Sequence, residues 1–304
     1  MKQAVGAVKR NLTGFLLVDK PKGFSSNEVL QQVKKLFKAK KAGHAGSLDP
    51  LATGMLLICF GGATKLLQFL LEVDKVYVVT AQLGVVTTTS DAEGSIVKER
   101  PVPSLNSKIA EDVLEKFRGI IDQTPSMYSA LKYKGTPLYE YARKGIEVPR
   151  ESRKVHIRTL NLLSIDKDQL QLYIHCSKGT YVRTLIEDIG EALGCGAHVI
   201  NLRRTSIGPF TENEMVSMET LRLHYDPEKT KSLDACVKPI QALMTEWPEV
   251  NLSENCTFYL KQGHPVQVPH SPKSGWVRLS RKSGDFLGIG EILSDGRVAP
   301  RKLV

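Results

Sequence analysis

The order of apolar and polar positions predicts strands at 14–18, 74–84 and 198–207, and two strands within 155–176 around a turn at Asp166–Asp168. Helical spacing falls at 26–38, 108–118 and 181–193. In the last of these Val182, Leu185, Ile186, Ile189 and Leu193 mark a buried face, and Thr180 is placed to cap it. Strands outnumber clean β-α-β units, which predicts an α+β fold with a mixed, largely antiparallel central sheet flanked by helices. After an acidic, loop-like stretch at 211–246, short strands are expected at 256–260, 266–268, 276–280 and 286–293, separated by Gly, Pro and Ser. They predict a small all-β, barrel-like module at 247–304, behind a first domain at 1–246.

A chain of 304 residues with 41% apolar residues agrees with about two domains, each able to bury a core. The longest uncharged stretches, Pro50–Thr64 and Val76–Ser90, hold 15 residues each, short of the roughly 18 that a spanning helix needs. Met1–Gly23 has neither the apolar region nor the cleavage site of a signal peptide, so a cytoplasmic protein without membrane contact is expected. Five cysteines, never closer than 19 positions apart, fit neither a disulfide framework nor a Cys-x-x-Cys metal site. The scattered histidines form no metal-binding spacing, and no metal is expected. Neither a phosphate-cradling Gly-rich loop nor a Gly-x-Ser-x-Gly elbow occurs, so no nucleotide cofactor or serine nucleophile is indicated.

Charge changes the picture. Forty-two Lys and Arg against 32 Asp and Glu leave a net +10, which favours a polyanionic partner. Residues 1–41 carry a local +8 and residues 211–235 a local −3. Lys34, Lys35, Lys38, Lys40 and Lys41 by themselves describe a solvated helix face. Between Tyr128 and Lys154, however, four of the nine tyrosines stand among Lys132, Lys134, Arg143, Lys144, Arg150, Arg153 and Lys154. Aromatic planes beside cations suit unstacked bases and phosphates, although a loop packed on its parent domain would look the same.

The stretch GHAGSLDPLATG at 43–54 is rich in glycine around His44 and Asp49. Asp before Pro is what a helix start wants, with Asp49 as cap and Pro50 at the first helical position. A rigidly held loop carboxylate is equally a place for chemistry. Arg183 lies in the first turn of its predicted helix, where the macrodipole disfavours a cation, so an anion is expected nearby. Glu187 four residues on is one partner. A carboxylate from elsewhere would be better, and if it is Asp49 the pair would orient it and lower its pKa.

Six spaced motifs now bear on the whole chain: GFLLVDKPKGFSS at 14–26, GHAGSLDPLATGML at 43–56, KVYVVTAQLG at 75–84, SALKYKGTPLYEYARKG at 129–145, GTYVRTLIEDIG at 179–190 and LRRTSIGPF at 202–210. Together they resemble the TruB family of tRNA pseudouridine-55 synthases. WPEV at 247–250 and FLGIGEILSDGRVAPRKLV at 286–304 resemble its PUA RNA-binding module. Residues from about 125 to 153 match an insertion that grips tRNA in stand-alone members, which implies no guide RNA. Ala45 and Ser47 stand where threonine is common in the family.

The resemblance implies a pseudouridine synthase fold and isomerisation of one uridine in the T-arm loop of tRNA, by base flipping, without cofactor, by a monomer. It implies Asp49 as the essential carboxylate, acting on sugar or base, with Arg183 paired to it. Tyr77 would stack on the flipped uracil and take part in proton removal at C5. His44 would support the flipped loop, and Tyr181 and Leu202 would line the base pocket. Lys20 and Lys22 would make structural or phosphate contacts. A non-catalytic tRNA-binding or tRNA-folding protein would share the charge and the tyrosines but would not need Asp49, Tyr77 and Arg183. Flipping a base costs a few kcal/mol, to be recovered from phosphate contacts and stacking. Affinity for tRNA is therefore expected to fall steeply with salt, and binding that stays flat over a salt titration would contradict this.

Overall fold

Residues 9–226 and 231–304 are described by the structure, a computed structural model. The first eight residues of the basic stretch and residues 227–230 of the acidic one lie outside the described residues.

The chain runs through β1 (Gly14–Lys20), α1 (Ser26–Leu36), β2 (Ala42–Ala45), β3 (Thr53–Phe60) and β4 (Lys75–Leu83). It continues with α2 (Ser107–Leu114), β5 (Gly119–Gln123), β6 (Arg153–Asp166), β7 (Gln169–Cys176), α3 (Val182–Ala192), β8 (Ala197–Ile207) and β9 (Val216–Ser217). These nine strands form one sheet in the order β9-β1-β3-β8-β4-β7-β6-β5, with β2 paired to β3. Only β1–β9 and β3–β8 are parallel, so the sheet is mixed and largely antiparallel, as the sequence predicts.

Strand β4 alternates strictly, with Lys75, Tyr77, Val79, Ala81 and Leu83 on the buried face. In β8, Leu202 and Arg204 stand opposite Val79 and Tyr77. Helix α3 lays Val182, Leu185, Ile186 and Ile189 over this face. Burial of each such aliphatic side chain contributes about 1.5–3 kcal/mol. The other face is covered near β1 by α1, whose amino end is closed by a reciprocal Ser25–Glu28 capping box.

Several elements differ from expectation. β3 was not anticipated because TGMLLICF is buried along nearly its whole length and has no alternation to read. No helix begins at Pro50, and Asp49 caps nothing. Tyr181, without a side-chain bond, occupies the cap position of α3, while the Thr180 hydroxyl donates to the Ser177 carbonyl. The stretch 211–246 is not simply loop: helices Met218–Leu223 and Lys231–Asp234 bury Met218, Leu221 and Leu233 against β1 and α1.

The C-terminal unit is not all-β. Residues 256–260 belong to helix α4 (Glu254–Lys261), started by a Ser253 side-chain cap. Its four-stranded sheet joins β10 (Glu249–Leu252), β11 (Gly275–Arg281), β12 (Phe286–Ile292) and β13 (Val298–Leu303) in that order. Val266 makes only an isolated bridge to Val298 in place of the strand expected at 266–268. Trp247 and Trp276 stack at 5.5 Å, and Phe69 meets Trp276 edge-on at 4.8 Å, which joins this unit to the large sheet through apolar surface.

The parallel junction of β3 and β8 brings Gly54 against Arg204. Gly54 has φ +95°, and a Cβ there would lie 2.3 Å from the Arg204 carbonyl oxygen. Gly54→Ala is expected to cost more than the roughly 1–3 kcal/mol of left-handed strain alone. Urea denaturation checks this, and an unchanged midpoint would contradict it.

Candidate active site

Residues 46–52 connect β2 to β3 as a loop tied down at both ends. Leu48, Leu51 and Ala52 sink into the core beneath α3. The buried Ser26 hydroxyl accepts from Leu48 N–H at 2.7 Å and donates to the Leu48 carbonyl at 3.0 Å. Lys20, wholly buried, donates from Nζ to the carbonyls of Pro21, Phe24 and Pro50. Three acceptors use its three protons, so Lys20 braces this loop from behind and has no donor left for a phosphate. Burial lowers its pKa to about 8, against the pull of Asp49.

Asp49 is thus held between two tethers with its carboxylate facing Arg183. Arg183 Nε lies 2.9 Å from Asp49 Oδ2, and Nη2 donates to Oδ1 at 3.1 Å. Nη2 also donates to the Tyr128 carbonyl, and Nη1 to the Thr89 carbonyl and to Asp91 Oδ2 at 3.2 Å. Glu187 is not the partner; it accepts instead from the Ser90 hydroxyl. The Arg183 and Asp91 side chains are 7% and 3% exposed, while that of Asp49 is 39% exposed and opens to the cleft.

The pair does orient Asp49, and the guanidinium lowers its pKa as expected, but the carboxyl nevertheless ends above its ordinary range. Withdrawal from water pushes the carboxyl above its ordinary range; Arg183 pulls it back, and the neighbouring charge of Asp91 pushes it up again.

Asp49, Tyr77, Tyr181, Arg183 and Leu202 all line one cleft of about 810 Å³. Tyr77, on β4, is 9% exposed, and burial raises its phenol pKa while Arg204 acts against the rise. Tyr181 is fixed through its backbone, its N–H donating to Gln123 Oε1 and its carbonyl accepting from Gln123 Nε2. The Arg153 guanidinium lies 4.9 Å over the Tyr181 ring. Ser129, Ala130 and Leu131 close another side. His44 is not among the lining residues; it stands half-buried on β2, with Nδ1 buried and without a partner, and burial and Arg204 lower its pKa.

Two residues of this site escaped the sequence reading. Asp91 sits in TTTSDAEGS, which signals only a turn, and nothing in its spacing points to Arg183. Arg204 could have been found, because a strand over 198–207 that turns Leu202 inward turns Arg204 inward too. Among the described residues no group of His, Cys, Asp and Glu could hold a metal, and no helix is long and apolar enough to cross a membrane.

A family model described as TruB family pseudouridylate synthase, N-terminal domain, matches residues 34–182. Two TruB C-terminal models match 183–245 and 248–304. The chain is 54% identical over 296 residues to tRNA pseudouridine synthase B of Coxiella burnetii (strain RSA 493 / Nine Mile phase I), covering 97% of this chain and 96% of that one. It is 50% identical over 300 residues to the protein of that name in Stutzerimonas stutzeri (strain A1501), covering 99% and 98%.

The chain belongs to the TruB family.

It is accordingly a pseudouridine synthase, an isomerase. The TruB fold is shared with a chain in an H/ACA ribonucleoprotein bound to a substrate RNA containing 2′-deoxyuridine, at TM-score 0.73 and 23% identity over 96% of this chain and 84% of that one. A Cbf5-Nop10-Gar1 complex contains another such fold, at TM-score 0.74 and 24% identity over the same shares.

In this TruB-family chain the Arg183 fork is shared between two carboxylates. Arg183→Met would leave Asp91 buried and unpaired, and a loss of about 3–5 kcal/mol is expected. Denaturant unfolding of the variant measures it, and a loss below about 1 kcal/mol would show that Asp91 finds other compensation.

Proposed function

We propose that this enzyme converts the uridine at position 55, in the T-arm loop of tRNA, to pseudouridine, with Asp49 as the essential carboxylate and without guide RNA or cofactor. The observation that carries this is the Asp49 carboxylate, fixed by a guanidinium fork on the wall of a cleft that also presents Tyr77, Tyr181 and Leu202. tRNA as substrate is supported by the names of relatives at 50–54% identity over nearly the whole chain, and position 55 by the six motifs. The surplus of ten positive charges suits a polyanion.

In this reading the target uridine leaves its stack and its base enters the cleft against Tyr77. The C1′–N1 bond breaks and the detached uracil turns. A C1′–C5 bond then forms, C5 gives up its proton with help from Tyr77, and N1 gains one. Asp49 acts on the sugar or the base, and each route needs its ionised form. His44 supports the opened RNA loop. Residues 125–153 grip the tRNA with cations laid on tyrosine rings, Arg143 over Tyr139 at 5.3 Å and Lys134 over Tyr133 at 5.5 Å. The unit at 247–304 serves as a PUA-type RNA-binding module behind the catalytic domain at 1–246.

The test is tritium release from tRNA transcript labelled with [5-³H]uridine, with the modified position mapped afterwards. Wild type releases tritium at the T-loop uridine. Asp49→Asn loses about 10²–10⁴-fold or more in rate and keeps its tRNA affinity within a few-fold. Because burial raises the Asp49 pKa, the acid limb of the rate profile should fall at a pH above the ordinary aspartate value of 3.8, with activity recovering as pH rises. Tight tRNA binding by a wild type that releases nothing would overturn the catalytic reading in favour of a tRNA-binding or tRNA-folding protein.

A further inference from the structure

Arg204 is among the largest wholly buried side chains of the protein, at 1% exposure, yet it lines the cleft. A guanidinium cannot shed its proton to escape burial, so a buried one ordinarily has a carboxylate beside it. Arg204 has none among the described residues. Its Nε donates to the Met55 carbonyl at 2.7 Å and Nη2 to the Gly46 carbonyl at 2.9 Å, while Nη1 has no carbonyl or carboxylate partner. The acids that line the cleft are taken up elsewhere, Asp49 by Arg183 and Glu72 by Lys178, and the buried Asp91 behind it is also bound to Arg183.

The position of Arg204 is fixed by strand register. It stands directly opposite Tyr77 on the adjacent antiparallel strand, and side chains so paired share a face with Cβ atoms about 4.5–5.5 Å apart. Lys75, two residues before Tyr77 on the same face, also lines the cleft and donates to the Leu71 and Val73 carbonyls. The wall beside Tyr77 therefore carries two buried cations, neither of them in an ion pair with a carboxylate among the described residues. Its field is felt by neighbours: burial, and the charge of Arg204 with it, lower the pKa of Lys75 to about 8.

We propose that Arg204 is a catalytic residue, its guanidinium stabilising the negative charge that uracil carries while it is detached from the ribose. This rests on the functional reading above. When C1′–N1 breaks, the electron pair of that bond leaves with the base and spreads over N1 and the ring carbonyls. The same charge is spent when C5 bonds to C1′, after which C5 releases a proton and N1 takes one up. Nothing is oxidised or reduced. A preorganised cation in a site withdrawn from water acts most strongly where such charge develops, whichever way Asp49 takes part.

The experiment compares two tRNA transcripts, one with uridine and one with 5-fluorouridine, whose electron-withdrawing fluorine makes the detached base a more stable anion. Single-turnover loss of the N-glycosidic bond is followed by nuclease digestion and mass spectrometry, and tRNA affinity is measured in parallel. Arg204→Met should lose about 10²–10³-fold with uridine, the scale of removing one such donor. Its loss should be at least tenfold smaller with 5-fluorouridine, and its affinity for tRNA near wild type. Equal losses on the two transcripts would overturn the proposal, since damage to the loop at Gly46 would not depend on the leaving base. If Arg204→Met does not fold, Arg204→Gln, which keeps hydrogen-bond donors for the carbonyls but carries no charge, is put to the same comparison with the same deciding outcomes. A wild type that leaves both transcripts unchanged would overturn the functional reading itself.

Discussion

The guanidinium of Arg183 is the joint on which this site depends. It lies in the first turn of α3, an end of a helix where the macrodipole repels a cation, and two carboxylates offset that cost. Its partners come from separate places in the chain: the loop before β3, the turn after β4, and Tyr128 at the start of the Tyr-rich segment. One planar group thus fixes the spacing of segments that no backbone hydrogen-bond ladder holds together. Asp49 gains orientation from this arrangement. Its protonation is governed more by withdrawal from water than by the cation beside it.

Much of this architecture was legible wherever one face of an element is wet. β4, β6, β7, β8 and α3 all carry the period of their geometry because water touches one side of each. β3 does not, since it is covered on both sides, and its sequence says only that it is apolar. The same reasoning fails for α4, whose aromatic run looks like a strand although Ser253 supplies a helix cap; Phe258 and Tyr259 stand mostly in water there. At the site, charge and helix position called for an anion beside Arg183 and the family resemblance named Asp49, whereas nothing pointed to Asp91, because contact across 92 positions leaves no mark in local spacing. Lys20 shows the limit of counting charge: a lysine in a basic stretch reads as a structural or a phosphate contact alike until its three carbonyl partners are seen.

Positive charge in this protein has two distinct forms. On the surface, Lys and Arg side chains are hydrated, screened by salt, and suited to following a backbone of phosphates. Inside, Lys20, Lys75, Arg183 and Arg204 are desolvated and positioned by carbonyls and carboxylates. The first kind sets attraction at a distance, and the second fixes a field in and behind the wall of the cleft. A net charge taken from composition cannot distinguish them.

Strand β8 lies in the middle of the sheet, between β3 and β4, although both of those precede it by a long stretch of chain. During synthesis β3 and β4 leave the ribosome with the slot between them empty. Tyr77 then has no Arg204 opposite it, and the Asp49 loop lacks the bond that Arg204 gives to Gly46. A nascent chain or a proteolytic fragment that ends before residue 197 therefore exposes two apolar strand edges and has no finished cleft. Insertion of this one late strand completes the core and the wall of the cleft in the same event.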